Sequence, residues 1–291
     1  LTMPNEAGFK PYFIIPPLAS MLMGALVTFG LTTKHAYIPT PSPVISSSNT
    51  VSAGFYNTMV ILLMALVGLV VVYLLIRYAK FRAFAVFKDA MILFLIYTLV
   101  TFYLYEYATY YNIYPLLLVV TFYPLSIGLT ALLGYFSLYS NSQVLRGVGI
   151  VSYSAMAGSL LATSLPPVTA AMVPIFLAVY DAFMVYKGLL GRLAESMKGT
   201  VGRSLLRGLV LDLRDTAIGV GDLVVYSLMS SFVVSLAGEA MVMILIILVL
   251  GVLLGFYVTY RLLLPFRGYA PALPLPVLLG FVPVIILLHA V

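Results

Sequence analysis

Apolar runs longer than 18 residues recur along almost the whole chain, and no other feature restricts its fold so severely. With 63% of its 291 residues hydrophobic and only 8% charged, the chain has too little polar surface to clothe a soluble domain. A bilayer removes that requirement, and a helix of about 20 mostly apolar residues crosses it. Candidate spans lie near 12–31, 55–76, 90–108, 115–138, 147–165, 168–186, 216–237, 241–260 and 270–290. The first is long and lacks a small-residue cleavage site after a basic start, so it reads as a retained helix and not a signal peptide. The expectation is an all-α integral membrane protein of nine transmembrane helices, multi-pass, and in the cell membrane if the source is prokaryotic.

Charge orients the bundle, because Lys and Arg favour the cytoplasmic side of short loops. With the N-terminus cytoplasmic and the C-terminus outside, every basic residue but Lys34 falls on the inner side. Arg77, Lys80, Arg82 and Lys88 follow the second span, and six more, from Lys187 to Arg214, occupy the connection after the sixth. The whole of 1–291 reads as one membrane domain: six helices over 1–186, a cytoplasmic connection over 187–215 and three helices over 216–291. Part of that connection, with Leu205, Leu206, Leu209, Val210 and Leu211 among basic residues, is expected on the membrane surface or against the bundle. The Ser-, Thr- and Pro-rich stretch near 32–54 reads as a solvated outer loop.

The net charge of +6 is spread over loops, which suits anionic lipid headgroups. It does not suit nucleic acid, which needs a basic face on a folded module. The chain has no cysteine, so disulfides, thiol catalysis and thiolate metal sites are excluded. Without HExxH there is no sign of a zinc protease. His35 and His289 fall near outer helix ends, leaving a mid-membrane serine without a base. No metal or other cofactor is implied.

Ionisable groups inside a membrane are costly and mark function by default. Of nine acidic residues, seven lie in tails, in or beside loops, or near helix ends. Asp181 and Asp222 are embedded in apolar sequence on both sides. Counted from Lys187 and Asp215 at a helical rise, they lie about 9 and 10 Å deep, at matching heights on consecutive helices. Two carboxylates facing each other in such a place share one proton, giving an acid and a base. The same pattern would also serve a proton-coupled transporter or channel as a relay.

Gly219 and Gly221 precede Asp222 within what reads as a helix interior, where each glycine costs about 1 kcal/mol relative to alanine. Pro271, Pro274 and Pro276 crowd the start of the last span, so Pro271-Ala272-Leu273-Pro274 is expected to depart from regular helix. Such backbone is tolerated at membrane depth only inside protein or along a watery cavity.

Together Tyr180-Asp181, Gly219-Val220-Gly221-Asp222 and Pro271-Ala272-Leu273 resemble the YD, GxGD and PAL motifs of the presenilin and signal peptide peptidase family, in the family's order and on its helices. The longer string from Gly219 to Ser227 is closer to presenilin, and the inner connection is much shorter than in animal presenilins. The resemblance implies a presenilin-like bundle and an intramembrane aspartyl protease. Asp181 and Asp222 would be catalytic, supported by Tyr180, Gly219 and Gly221, with Pro271, Ala272 and Leu273 near the substrate. Clients would be single-span membrane proteins or signal peptides, and no accessory subunit is evident. A prepilin peptidase shares a GxGD aspartate but leaves Tyr180-Asp181 and the PAL stretch unexplained, while an inactive scaffold differs only in an assay. A client cut within its helix must unwind, stranding backbone groups. Val210 and its neighbours, or the PAL stretch, are therefore expected to offer an edge to which it adds as a strand; the alternative is that Leu209 to Leu211 begins the seventh helix or rests on lipid.

Overall fold

The computed structural model describes residues 11–32, 48–78, 81–110, 115–187, 207–213, 216–236, 238–263 and 271–290. Lys10, Lys34, Lys80, Arg267, Leu205 and Leu206, residues 33–47 of the outer loop and 188–206 of the inner connection lie outside them. Helices α1 (Ile15–Thr32), α2 (Val51–Tyr78), α3 (Phe81–Tyr110), α4 (Pro115–Gly134), α5 (Gln143–Ser164) and α6 (Pro167–Lys187) come first. Strands β1 (Val210–Leu213) and β2 (Thr216–Gly219) then precede α7 (Val220–Leu236) and α8 (Met241–Val258). The last helix, α9, is assembled from Pro274–Pro276, a π-helical stretch Val277–Phe281 and Val282–Ala290. Among the described residues seven helices are long and apolar enough to cross a membrane, and Val220–Leu236 and Pro274–Leu287 are shorter apolar helices.

The centre is the trio α1, α5 and α7, packed mutually. In lipid the apolar effect does not draw helices together, so close packing and polar bridges must. Their sequences supply both. Ser20 Oγ donates to Leu223 O at 2.7 Å, Ser230 Oγ to Met21 O at 2.8 Å and Ser227 Oγ to Ala155 O at 2.8 Å. Thr28 and Ser159 pair their hydroxyls at 2.7 Å. Gly158 lets α7 touch the α5 backbone: a Cβ there would sit 2.6 Å from Ser227 Cβ and 2.7 Å from the Leu228 amide nitrogen. Around this trio, α2 packs on α6 through Asn57 Nδ2 to Thr169 Oγ1 at 3.1 Å, and presents Leu63, Met64 and Val67 outward. Helices α8 and α9 meet almost backbone to backbone. A Cβ on Gly255 would lie 2.5 Å from Pro276 N, and one on Gly280 would lie 2.7 Å from Val252 N.

Three expectations are corrected. The fold is not entirely helical, because Thr216–Gly219 pairs as a strand with Val210–Leu213. Helix α7 therefore starts at Val220 and not at 216, and the depth assigned to Asp222 from a helical rise does not apply, since a strand rises about 3.3 Å per residue. Helix α3 starts at Phe81, nine residues early, so Arg82, Lys88 and Asp89 lie on a helix and not in a loop. The run Phe-Arg-Ala-Phe-Ala-Val-Phe is apolar enough to keep its backbone bonds in helical form.

The glycines separate packing from propensity. Gly158→Ala should lower the melting temperature in detergent by an amount worth about 1–3 kcal/mol, because backbone must move. Gly68→Ala meets nothing within 4 Å and should be neutral or stabilising by up to about 1 kcal/mol. Thermal unfolding of both variants checks the contrast.

Candidate functional site

Asp222 is the third residue of α7, and its position follows from how that helix begins. Strand β2 ends at Gly219, which acts as the helix cap. The Asp222 carboxylate turns back to the Gly219 backbone N–H, the return half of a capping box without its side-chain partner, and the helix dipole favours an anion there. The glycine cost expected for a helix interior is thus absent, since Gly219 and Gly221 stand at a junction. A Cβ on Gly219 would fall 3.1 Å from Asp222 Oδ2, whereas one on Gly221 would meet nothing within 4 Å. Gly219 makes room for the carboxylate, and Gly221 faces open space.

Asp181 lies on α6, half-buried, with Tyr180 beside it in sequence. Its Oδ2 accepts the Leu273 N–H at 3.1 Å, and the Ala272 N–H donates to the same carboxylate. These amides are free because Pro271 to Leu273 precedes the first turn of α9, where helical partners do not exist. The prolines that interrupt the helix therefore create the donors that hold Asp181. Asp181 lies near enough to Asp222 for their charges to interact. Among the described residues no three His, Cys, Asp or Glu side chains gather as a metal site.

Two tyrosines with no role assigned from sequence complete the site. Tyr226, one helical turn beyond Asp222 and fully buried, donates its hydroxyl to Ala272 O at 3.0 Å. A closed path results: Asp222 and Tyr226 share α7, Tyr226 holds Ala272, and Ala272 with Leu273 holds Asp181. The four-residue spacing from Asp222 to Tyr226 was the available signal, because it places both on one helix face. Tyr260, near the end of α8, reaches Ala217 O of β2 at 3.5 Å and lies within electrostatic reach of Asp222. It is positioned by ring contact with Phe256, centroids 4.3 Å apart, and nothing in the local sequence distinguishes it.

The hairpin has a definite register, with Val210 opposite Gly219 and Leu213 opposite Thr216. The Val220 N–H donates to Leu209 O at 3.0 Å. By the alternation of an antiparallel ladder, that bond sets the phase: Leu211 and Ile218 face each other as a bonded pair, and the backbone groups of Asp212, Ala217 and Gly219 turn outward, as do those of Val210, which also bridges Arg207. Leu211 and Ile218 are both buried, anchoring one face. The structure thus brings together Asp181, Asp222, Gly219, Ala272 and Leu273. It places Pro271 at the start of the same stretch, and Val210 across the hairpin from Gly219.

No family profile and no curated protein matches this sequence. The structure is similar to a presenilin family intramembrane aspartate protease solved in two crystal forms. One match has 18% identity and a TM-score of 0.56, covering 95% of this chain and 100% of that one. The other has 21% identity and a TM-score of 0.59, covering 97% and 98%. The likeness spans nearly the full length of both, and the chain has the fold of those proteins.

Gly219→Ala should push the Asp222 carboxylate from its seat, and Gly221→Ala should leave it in place. Measured in detergent, Gly219→Ala should displace the Asp222 carboxyl carbon resonance at little cost in melting temperature. Gly221→Ala should leave that resonance where it is in the unaltered protein.

Proposed function

We propose that this protein hydrolyses peptide bonds within transmembrane helices of client proteins, with Asp181 and Asp222 as the catalytic pair. One observation carries the reading: two helices bring carboxylates together where non-helical backbone, at Gly219 and Ala272–Leu273, turns its amides to them. The fold shared with intramembrane aspartate proteases supports it. The bundle spans the membrane nine times, with the two shorter apolar helices as the seventh and ninth spans, the N-terminus in the cytoplasm and the C-terminus outside.

With one proton between the carboxylates, the ionised member takes a proton from water as its oxygen attacks the scissile carbonyl carbon. The protonated member donates toward the carbonyl oxygen, giving a geminal diol. When the C–N bond breaks, the leaving nitrogen receives a proton from the pair, and a carboxyl and an amine terminus result. No metal or cofactor takes part in this scheme.

The client is a single-span membrane protein or a signal peptide, arriving through lipid. Unwinding it exposes backbone groups that cost several kcal/mol each without partners, and the outward-facing edge at Val210 supplies them by strand addition. The Leu273 N–H is already given to Asp181, so that amide does not pair with the client, and Pro271, Ala272 and Leu273 line its path with their side chains.

Incubating detergent-solubilised protein with a single-span substrate tests the activity. Asp181→Asn and Asp222→Asn should each abolish product, at least a thousandfold and without additivity, while the variants stay folded. Product formation by either variant would refute the pairing, and absence of product from the unaltered protein, with proton flux instead, would favour a transporter.

Val210→Pro separates the edge from the chemistry. Its ring removes an outward N–H, which a strand edge tolerates, so the hairpin should persist. Cleavage of a long client should fall at least tenfold while a small active-site-directed inhibitor binds unchanged; unaltered cleavage would eliminate strand addition at Val210.

A further inference from the structure

Three consecutive carbonyls at the start of the hairpin are each taken by a different helix. The Lys88 ammonium on α3 donates to Arg207 O at 2.6 Å. The Tyr153 hydroxyl on α5 donates to Gly208 O. The first amide of α7, Val220, donates to Leu209 O at 3.0 Å. Gly208 makes the arrangement possible, since its φ of +83° turns the second carbonyl away from its neighbours, and a Cβ there would come within 2.6 Å of Leu138 and 2.9 Å of Ile92.

Lys88 and Tyr153 are both out of water. The Lys88 side chain is 5% exposed, and its only charge partner among the described residues is the neighbouring Asp89, at 2.9 Å. Tyr153 is 1% exposed. A buried ammonium is costly to desolvate, and a neutral donor would satisfy one carbonyl at lower cost. What a charge-assisted bond adds is a shorter and stronger hold on one point of backbone. That point lies three residues from Val210, and the third carbonyl of the set is bonded to the residue two before Asp222.

We infer that Lys88 and Tyr153 are positioning residues that set where the hairpin stands relative to the carboxylate pair, and hence where Asp222 points. The inference rests on the protease reading for its functional consequence, but not for its structural one. Neither residue touches a client or a reacting atom. Each acts through the Arg207–Leu209 backbone, which fixes β1; β1 fixes β2 by the register Val210 to Gly219; and Gly219 carries the Asp222 carboxylate. Helices α3 and α5 thereby govern a site formed by α6, α7 and α9.

Hydrogen exchange and cleavage, measured together on full-length protein in detergent, test it. Tyr153→Phe removes one oxygen and Lys88→Met removes the charge at similar volume. Each should accelerate amide exchange at least tenfold over Leu209–Leu213 and Thr216–Val220 while exchange in α1 and α8 stays unchanged. For a single-span substrate kcat should fall at least fivefold with KM within twofold, and Lys88→Arg should restore most of it. Uniform acceleration across all helices, or loss of folded protein in both variants, would overturn the inference by showing a general structural role, as would unchanged exchange in the hairpin. The exchange measurement needs no activity, so an inactive parent protein would refute the protease reading and leave this one standing on its own result.

Discussion

A backbone polar group at membrane depth must find a partner inside the protein, and the architecture around the two aspartates is organised by that demand. Helices settle it internally, but this chain is not helical everywhere. Several of the irregular pieces among the described residues have their groups assigned. Leu209 gives its carbonyl to Val220, Gly208 to Tyr153, and Arg207 to Lys88. The amides released by the proline-rich start of α9 go to Asp181, and the Gly219 amide, one residue before α7, turns to Asp222. Both carboxylates thereby serve as acceptors for otherwise stranded backbone. The requirement that makes irregular structure costly in lipid is met by the groups that the proposed chemistry uses.

Much of this was legible in the sequence because hydrophobicity and charge act at long range along the chain. The apolar runs marked the helices, and the isolation of Asp181 and Asp222 in apolar surroundings identified them before any geometry was known. Pro271, Pro274 and Pro276 announced the break before α9, since proline acts through its own covalent structure. The hairpin was not legible. Its strands are four residues each, Val-Leu-Asp-Leu and Thr-Ala-Ile-Gly, too short for a period of two to show, and the second runs into the apolar stretch of α7. Its pairing depends on partners from α3 and α5 that lie far away in sequence. Lys88 was misleading for a related reason: a basic residue near a membrane boundary reads as a topology marker, and nothing local shows that its ammonium is consumed by a carbonyl 119 residues away. Tyr226 had a readable spacing from Asp222, but its acceptor, Ala272, belongs to another helix.

The glycine contacts between α8 and α9 bear on stiffness. Where Gly255 and Gly280 bring two backbones together, no side chains remain between them to swivel, so the pair deforms as one beam and carries the Ala272–Leu273 platform with it. The trio α1, α5 and α7 is braced by buried hydroxyls and carries Asp222. Helix α6 is mounted differently: its principal neighbour is α2, whose outer face meets lipid. One carboxylate is therefore seated on a rigid frame, and the other on an outrigger hinged through two backbone amides. Displacing α2 and α6 together against the trio would change the distance between the aspartates, so that distance is set by how α6 packs and not by α7 alone.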